Sequence, residues 1–91
     1  MSAERWEIRF TAAARCALAE ELPEEVAAAA YETITGAIAV NPHRVGKPLD
    51  EPYDGLYSAR RGTYRILYEI NEAKHTVEII AVRHRRSAYR T

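Results

Sequence analysis

The sequence predicts an α+β fold with the element order β-α-α-β-β-β. A twisted, mainly antiparallel four-stranded sheet would carry an antiparallel helix pair on one face. Apolar and charged residues alternate near the start, an alanine-rich stretch with helical spacing follows, and the second half holds three runs rich in β-branched and aromatic residues. The 91 residues suit one domain, which we expect to span residues 1–91.

The first strand and the first helix are expected to be short. Apolar side chains alternate with charged ones at Trp6, Ile8 and Phe10, which predicts a strand over about 4–10. Thr11 can cap the helix that follows, because its hydroxyl oxygen can accept a backbone N–H of the first turn. The alanine-rich stretch predicts that helix over about 12–21.

The second helix is expected to start at Pro23 and to stop at Asn41-Pro42. Its apolar positions recur every fourth residue, at Val26, Ala30, Ile34 and Ile38. Residues 41–55 contain three prolines and two glycines, and they predict a loop. We expect His43 in that loop to be an exposed imidazole without a functional role.

Residues 56–70 predict a β-hairpin, which is the central feature of the expected fold. Placing Arg61-Gly62 in a two-residue loop pairs Arg60 with Thr63 and Ser58 with Arg65. Paired residues share a face, so Arg60 and Arg65 would lie on one face and the tyrosines on the other. The arginines are then either solvated, or paired with Glu69 and Glu78, or part of an anion site for phosphate.

The last strand is predicted over Thr76–Arg83 from its nearly continuous apolar run. Its register stays open, because a one-residue slip sends every side chain to the other face. A four-residue loop at 71–74 puts His84 on the Arg65 face, and a five-residue loop puts Arg83 there. Either register brings a basic residue to the same end of the sheet.

Charge is distributed unevenly, although the net charge is zero. Residues 1–40 carry seven acidic and three basic side chains, whereas residues 41–91 carry ten basic and six acidic ones. The sheet half is therefore the candidate for binding an anion, with nucleic acid the first choice. Its overall charge is too weak to coat nucleic acid unaided, so a partner that positions the substrate is expected.

Several classes of protein are disfavoured. No apolar run approaches the length of a membrane span, no signal-peptide pattern is present, and the single cysteine, Cys16, excludes an internal disulfide. The sequence has no phosphate-binding loop, no dinucleotide fingerprint and no nucleophilic serine motif. Cytoplasmic localisation is expected, with no metal or other cofactor. Any phosphodiester cleavage would then depend on arginine charge and on proton transfer by histidine or tyrosine.

Three stretches carry a resemblance to a known family. They are Gly46-Lys-Pro-Leu, the run from Gly55 to Ile70 that includes Arg-Arg-Gly-Thr-Tyr-Arg-Ile-Leu-Tyr, and the tail Val82-Arg-His-Arg-Arg-Ser-Ala-Tyr-Arg. Together they resemble the RelE/ParE superfamily of bacterial toxins, most closely its RelE branch. The resemblance implies the toxin of a type II toxin–antitoxin pair, which enters the ribosomal A site and cleaves mRNA through attack by the RNA's own 2′-hydroxyl. It also implies a RelB-like antitoxin, in a complex that is a hetero-oligomer.

The resemblance assigns roles to individual residues. Arg65 and Arg60 would hold the scissile phosphate, Arg85 would act as an acid or a charge clamp, and Tyr89 would stack on a base or assist proton transfer. The other basic residues expected to contact RNA are Lys47, Arg61, Arg83, Arg86 and Arg90.

The general base is less defined, because Ser58 stands where some RelE toxins carry a lysine. His84 is proposed instead on chemical grounds, with Lys47 as a second candidate. Two other functions stay open. One is a ParE-like protein that binds DNA gyrase without catalysis, and the other is a degenerate chain that only binds an antitoxin.

Overall fold

The computed structural model describes residues 5–84, which form a five-stranded sheet with helices packed on one face. The strands are β1 (Glu7–Phe10), β2 (Lys47–Pro48), β3 (Leu56–Arg61), β4 (Tyr64–Asn71) and β5 (Thr76–His84), in the spatial order β1-β5-β4-β3-β2. β1 runs parallel to β5, and the other neighbours are antiparallel. The predicted fold class is confirmed, with one strand more than the four expected.

Two helical segments follow β1, as predicted. α1 (Ala12–Cys16) continues as a π-helical segment over Ala17–Glu21, and α2 (Glu24–Thr33) continues in the same way over Ile34–Ile38. Thr11 caps α1, because its hydroxyl oxygen accepts the N–H of Ala14 at 3.1 Å. Fully buried side chains of both segments, such as Ala14, Ile34 and Ile38, pack against the sheet. No helix among residues 5–84 is long and apolar enough to cross a bilayer.

The segment predicted as a loop over 41–55 contains regular structure at its start. α3 (Pro42–Val45) begins with a proline in its first turn, where the missing N–H costs nothing. Lys47 and Pro48 then pair with Ser58 and Tyr57 to form β2. Because a proline lacks the N–H that a central strand needs, this short strand lies at the sheet edge.

The hairpin between β3 and β4 turns one residue later than predicted. Its loop is Gly62-Thr63, and Arg60 pairs with Arg65 instead of Thr63. Gly62 has φ +56°, the conformation that glycine adopts at the first loop position of a type II′ turn. Each β3 residue therefore pairs two positions further along β4 than expected. A shift of two residues keeps every side chain on its predicted face.

A β-bulge at Ile80 decides the register between β4 and β5. Near the loop the pairs are Asn71–Thr76 and Tyr68–Ile79, but the next pairs are Leu67–Ala81 and Arg65–Arg83, so Ile80 is an extra residue. Without the bulge, Arg65 would face Val82, and the side chains of Arg83 and His84 would exchange faces. The bulge therefore places Arg83, and not His84, on the same face as Arg65, which the sequence alone left undecided.

An aromatic cluster lies at the end of the sheet where the β4–β5 loop connects its two strands. The ring of Trp6 stacks on His75 with centroids 4.0 Å apart and meets the edge of His43 at 5.5 Å. His43 is exposed, as predicted, but it lies in α3 and its Nε2 is 2.6 Å from Oε2 of Glu72 in the β4–β5 loop. The cluster ties α3 and the start of β1 to that loop.

Candidate anion-binding face

Three arginines lie side by side on the face of the sheet opposite the helices of residues 5–84, which we call the open face. Arg60 is directly opposite Arg65, and Arg65 is directly opposite Arg83, on the three adjacent strands β3, β4 and β5. We call this set the arginine rung. Cβ atoms of directly opposed residues lie about 4.5–5.5 Å apart, so the three guanidinium groups can reach one anion. All three residues are exposed.

None of the three arginines forms an ion pair with another residue among 5–84; the ion pairs of that region are Arg9–Glu7 and His43–Glu72. Glu69 and Glu78 share the face but oppose each other, and the rung that contains Leu67 separates them from the arginines. The pairing of arginines with these two glutamates, one of the structural alternatives, is therefore absent. Adjacent like charges on a rigid sheet destabilise it, and a bound polyanion would relieve the repulsion.

The next rung along the strands brings a lysine to the same face. It consists of Lys47, Ser58, Leu67 and Ala81 on β2, β3, β4 and β5. Lys47 pairs with Ser58, so a lysine side chain lies directly opposite the position where some RelE toxins carry a lysine and this chain has a serine. β2 was not predicted, and so this placement was not foreseen. A signal was present in Gly46-Lys-Pro, which the resemblance already included.

The position of Lys47 depends on a close contact just before it. Gly46 lies against the ring of Tyr68, and a Cβ atom added there would be 2.5 Å from the hydroxyl oxygen. That hydroxyl donates a 2.7 Å hydrogen bond to the carbonyl of Pro42. Burial raises the pKa of Tyr68 to about 12. The neutral phenol therefore holds α3 and the start of β2 against β4.

His84 and Arg61 lie away from the arginine rung. Both flank Tyr64 in the ladder, and the ring of Tyr64 is on the helix side, where its hydroxyl oxygen lies 3.0 Å from that of Thr33. The side chains of His84 and Arg61 consequently belong to that side, although Arg61 at the hairpin end is exposed. For His84 the cause is the β-bulge at Ile80, because a regular ladder would have placed its side chain on the same face as Arg65.

The remaining predicted site residues lie outside the described part of the chain. They are Arg85, Arg86, Tyr89 and Arg90. Of the predicted set, the structure brings together Arg60, Arg65, Arg83 and Lys47 on one face. It separates His84 and Arg61 from them.

Comparison with known proteins identifies the family. The profile of the family described as ParE toxin of type II toxin-antitoxin system, parDE, matches residues 8–89. Toxin RelE of Mycobacterium tuberculosis is 49% identical over 71 residues, which cover 78% of this chain and 73% of that protein. Toxin RelG of the same organism is 47% identical over 83 residues, covering 91% and 94% of the two chains.

Solved structures show the same fold. A chain of the toxin-antitoxin complex RelBE2 from Mycobacterium tuberculosis superposes with a TM-score of 0.86 at 44% identity, covering 92% of this chain and 95% of that one. The isolated Escherichia coli RelE toxin superposes with a TM-score of 0.70 at 17% identity, covering 87% and 83%, a likeness of fold alone. With a profile that spans nearly the whole chain and relatives near 50% identity, this chain belongs to the RelE/ParE superfamily of type II toxins, on its RelE-like branch.

Proposed function

We propose that this toxin is a ribosome-dependent mRNA endonuclease, and that the arginine rung holds the scissile phosphate. The observation that carries the proposal is the row of Arg60, Arg65 and Arg83, which lacks an acidic partner among residues 5–84. Guanidinium groups stay protonated at every accessible pH and match phosphate oxygens in bidentate geometry. They would stabilise the extra charge that develops on the phosphorus oxygens in the transition state.

The reaction needs only the RNA and proton transfer. The 2′-oxygen attacks the adjacent phosphorus, the bond to the 5′-oxygen breaks, and the products are a 2′,3′-cyclic phosphate and a 5′-hydroxyl. One group accepts the 2′-hydroxyl proton and another donates a proton to the leaving 5′-oxygen. Lys47, acting in its neutral amine form, is our choice for the first role, because its strand pairing puts it beside the arginine rung. Arg85 and Tyr89 stay candidates for the second role on the resemblance alone.

The test is primer extension on mRNA with purified ribosomes and the purified toxin. We expect cuts in phase with codons that require ribosomes and disappear with Arg65→Ala. Replacing the 2′-hydroxyl at the cut site by hydrogen should abolish cleavage there, because the attacking group is gone. Cleavage of naked RNA with equal efficiency, or cleavage of the 2′-deoxy substrate, would contradict the mechanism.

A second function has support from the matching profile, whose description names ParE of parDE. On that alternative the chain would inhibit DNA gyrase without catalysis. A supercoiling assay with purified gyrase distinguishes the two. Inhibition of supercoiling, together with intact mRNA and a fully toxic Arg65→Ala variant, would favour the gyrase function over the nuclease.

The partner that would neutralise this toxin is a RelB-like antitoxin. Several structural relatives are RelB–RelE complexes, including one from Pyrococcus horikoshii and one from Escherichia coli. An antitoxin whose disordered segment folds on binding would form a hetero-oligomer with the toxin. Co-expression with a RelB-like antitoxin from the same genome should restore growth and yield a complex that co-purifies. If no RelB-like protein of that genome bound the toxin, this partner would be ruled out.

A further inference from the structure

Leu67 is a large apolar side chain at the centre of the open face. It lies on the middle strand β4, is half-buried, and stands on the opposite side of the sheet from the core that includes Ile66 and Tyr68. Its ladder neighbours, Ser58 and Ala81, are small. Leu67 is therefore the largest apolar side chain of its rung, between two small neighbours.

Charge divides this face into zones on either side of Leu67. The arginine rung lies two residues away from Leu67 along β4 in one direction. In the other direction lie Glu69 and Glu78, with Arg9 opposite Glu78 on β1, so that rung has one net negative charge. Two residues along a strand span about 7 Å. A polyanion is therefore attracted to the three arginines and not to the rung of Glu69 and Glu78, and its backbone would cross the face along the arginines.

We propose that Leu67 is the platform for the base of the nucleotide whose phosphate lies on the arginine rung. This inference rests on the function proposed above. A nucleobase reaches away from its own phosphate and presents apolar faces, which proteins contact with aromatic or aliphatic side chains. Carboxylates on the far side turn the backbone away from Leu67, and this leaves the apolar surface to a base. Leu67 is thus a positioning residue that helps to fix where the RNA is cut.

Leu56 offers a matched control for Leu67. It is also a half-buried leucine on the open face, but it pairs with Glu69, on the rung beyond Leu67 from the arginines. Leu67→Ala and Leu56→Ala remove the same atoms from similar surroundings. Only the first would remove a contact with a base held near the arginine rung.

The experiment measures cleavage of ribosome-bound mRNA at increasing concentrations of the ribosome complex, with an ordinary or an abasic nucleotide at the cut site. For Leu67→Ala we expect the half-saturating concentration to rise about fivefold to tenfold, which is equivalent to about 1–1.4 kcal/mol and lies at the low end of the range for stacking of a base on an aromatic ring. The distribution of cut positions should also broaden. Leu56→Ala and the shape-conserving Leu67→Met should stay close to wild type.

The abasic substrate distinguishes contact of Leu67 with a base from packing of Leu67 within the protein. If Leu67 contacts the base, the abasic nucleotide raises the half-saturating concentration several-fold for the wild type and does not raise it for Leu67→Ala. Equal effects of the abasic substrate on both proteins would overturn the inference while leaving the nuclease intact. A loss of thermal stability in Leu67→Ala well beyond that of Leu56→Ala would show that Leu67 packs against its own chain, and would overturn it too. A wild type that cuts no mRNA would refute the proposed function and this inference with it.

Discussion

The hydroxyl of Thr11 donates a 2.8 Å hydrogen bond to the carbonyl of Ile80, the extra residue of β5. The same side chain caps α1 by accepting the N–H of Ala14, and the backbone N–H of Thr11 donates to the carbonyl of Ile79. One residue thus joins the start of a helix to the bulge. Because the bulge puts Arg83 beside Arg65, Thr11 supports the arginine rung through backbone hydrogen bonds on the β1 side of β5.

Thr11→Val should lower the free energy of unfolding by about 1–2 kcal/mol, because the cap of α1 and the partner of the Ile80 carbonyl are lost together. Urea denaturation followed by circular dichroism measures the change. Thr11→Ser retains the hydroxyl and should recover most of the stability. If Thr11→Val were as stable as the wild type, the bulge would be independent of this hydrogen bond.

Arg60→Gln should raise stability and lower activity. Removing one of two directly opposed guanidinium groups relieves repulsion worth a few tenths to about 1 kcal/mol. It also removes a ligand of the proposed phosphate site, so codon-phased cleavage should fall by at least tenfold. Thermal melting and primer extension on the same preparations provide both values.

Arg9→Gln is the control for that experiment. Arg9 lies on β1, where its Nη1 is 3.6 Å from Oε2 of Glu7, and both side chains are about two-thirds exposed. Exposed ion pairs contribute little, so stability should change by less than about 0.5 kcal/mol and cleavage should be unaffected. A destabilised Arg60→Gln would show that the arginine repulsion is already relieved in the folded toxin.

Gly46→Ala and Tyr68→Phe should destabilise the protein by amounts that do not add. The alanine Cβ would lie 2.5 Å from the Tyr68 hydroxyl oxygen and force α3 away from β4. Tyr68→Phe alone leaves the Pro42 carbonyl without its partner, at a cost of about 1–3 kcal/mol. In the double variant the closest clash is gone, so the combined loss should be smaller than the sum of the two. Strict additivity in urea denaturation would contradict a contact at this point.

Ionisation of Tyr68 should make the protein less stable in strong alkali. Burial raises its pKa to about 12 in the folded state, above the value of about 10 in the unfolded chain. The unfolded state then binds fewer protons between these two values, so this contribution to stability is complete below pH 10 and is lost as the pH rises towards 12. The loss should approach about 2 kcal/mol. Urea midpoints from pH 8 to 12 should fall more steeply in the wild type than in Tyr68→Phe.

Local patterns in the sequence determined much of this toxin. Alternation at Trp6, Ile8 and Phe10 predicted β1, the hydroxyl of Thr11 predicted a helix cap, and the spacing from Val26 to Ile38 predicted the second helix. These features depend on neighbouring residues and on the periods of helices and strands, which can be read directly from the chain. The shared face of Arg60 and Arg65 was predicted correctly even though the turn was placed one residue early, because the side-chain period of a strand is two.

The choice of basic residues that lie together on one face depends on long-range packing. The extra residue Ile80 is held by Thr11, a partner distant in sequence, and no local pattern signals it. Lys47 reaches the arginine face because Gly46 lets the chain pass close to the buried Tyr68. Strand register and close backbone contacts depend on long-range packing, and a slip of one residue reverses every side chain. For that reason local sequence patterns predicted the main helices and strands, but not β2 or α3, whereas the packing of the whole chain places Arg83, and not His84, beside Arg65.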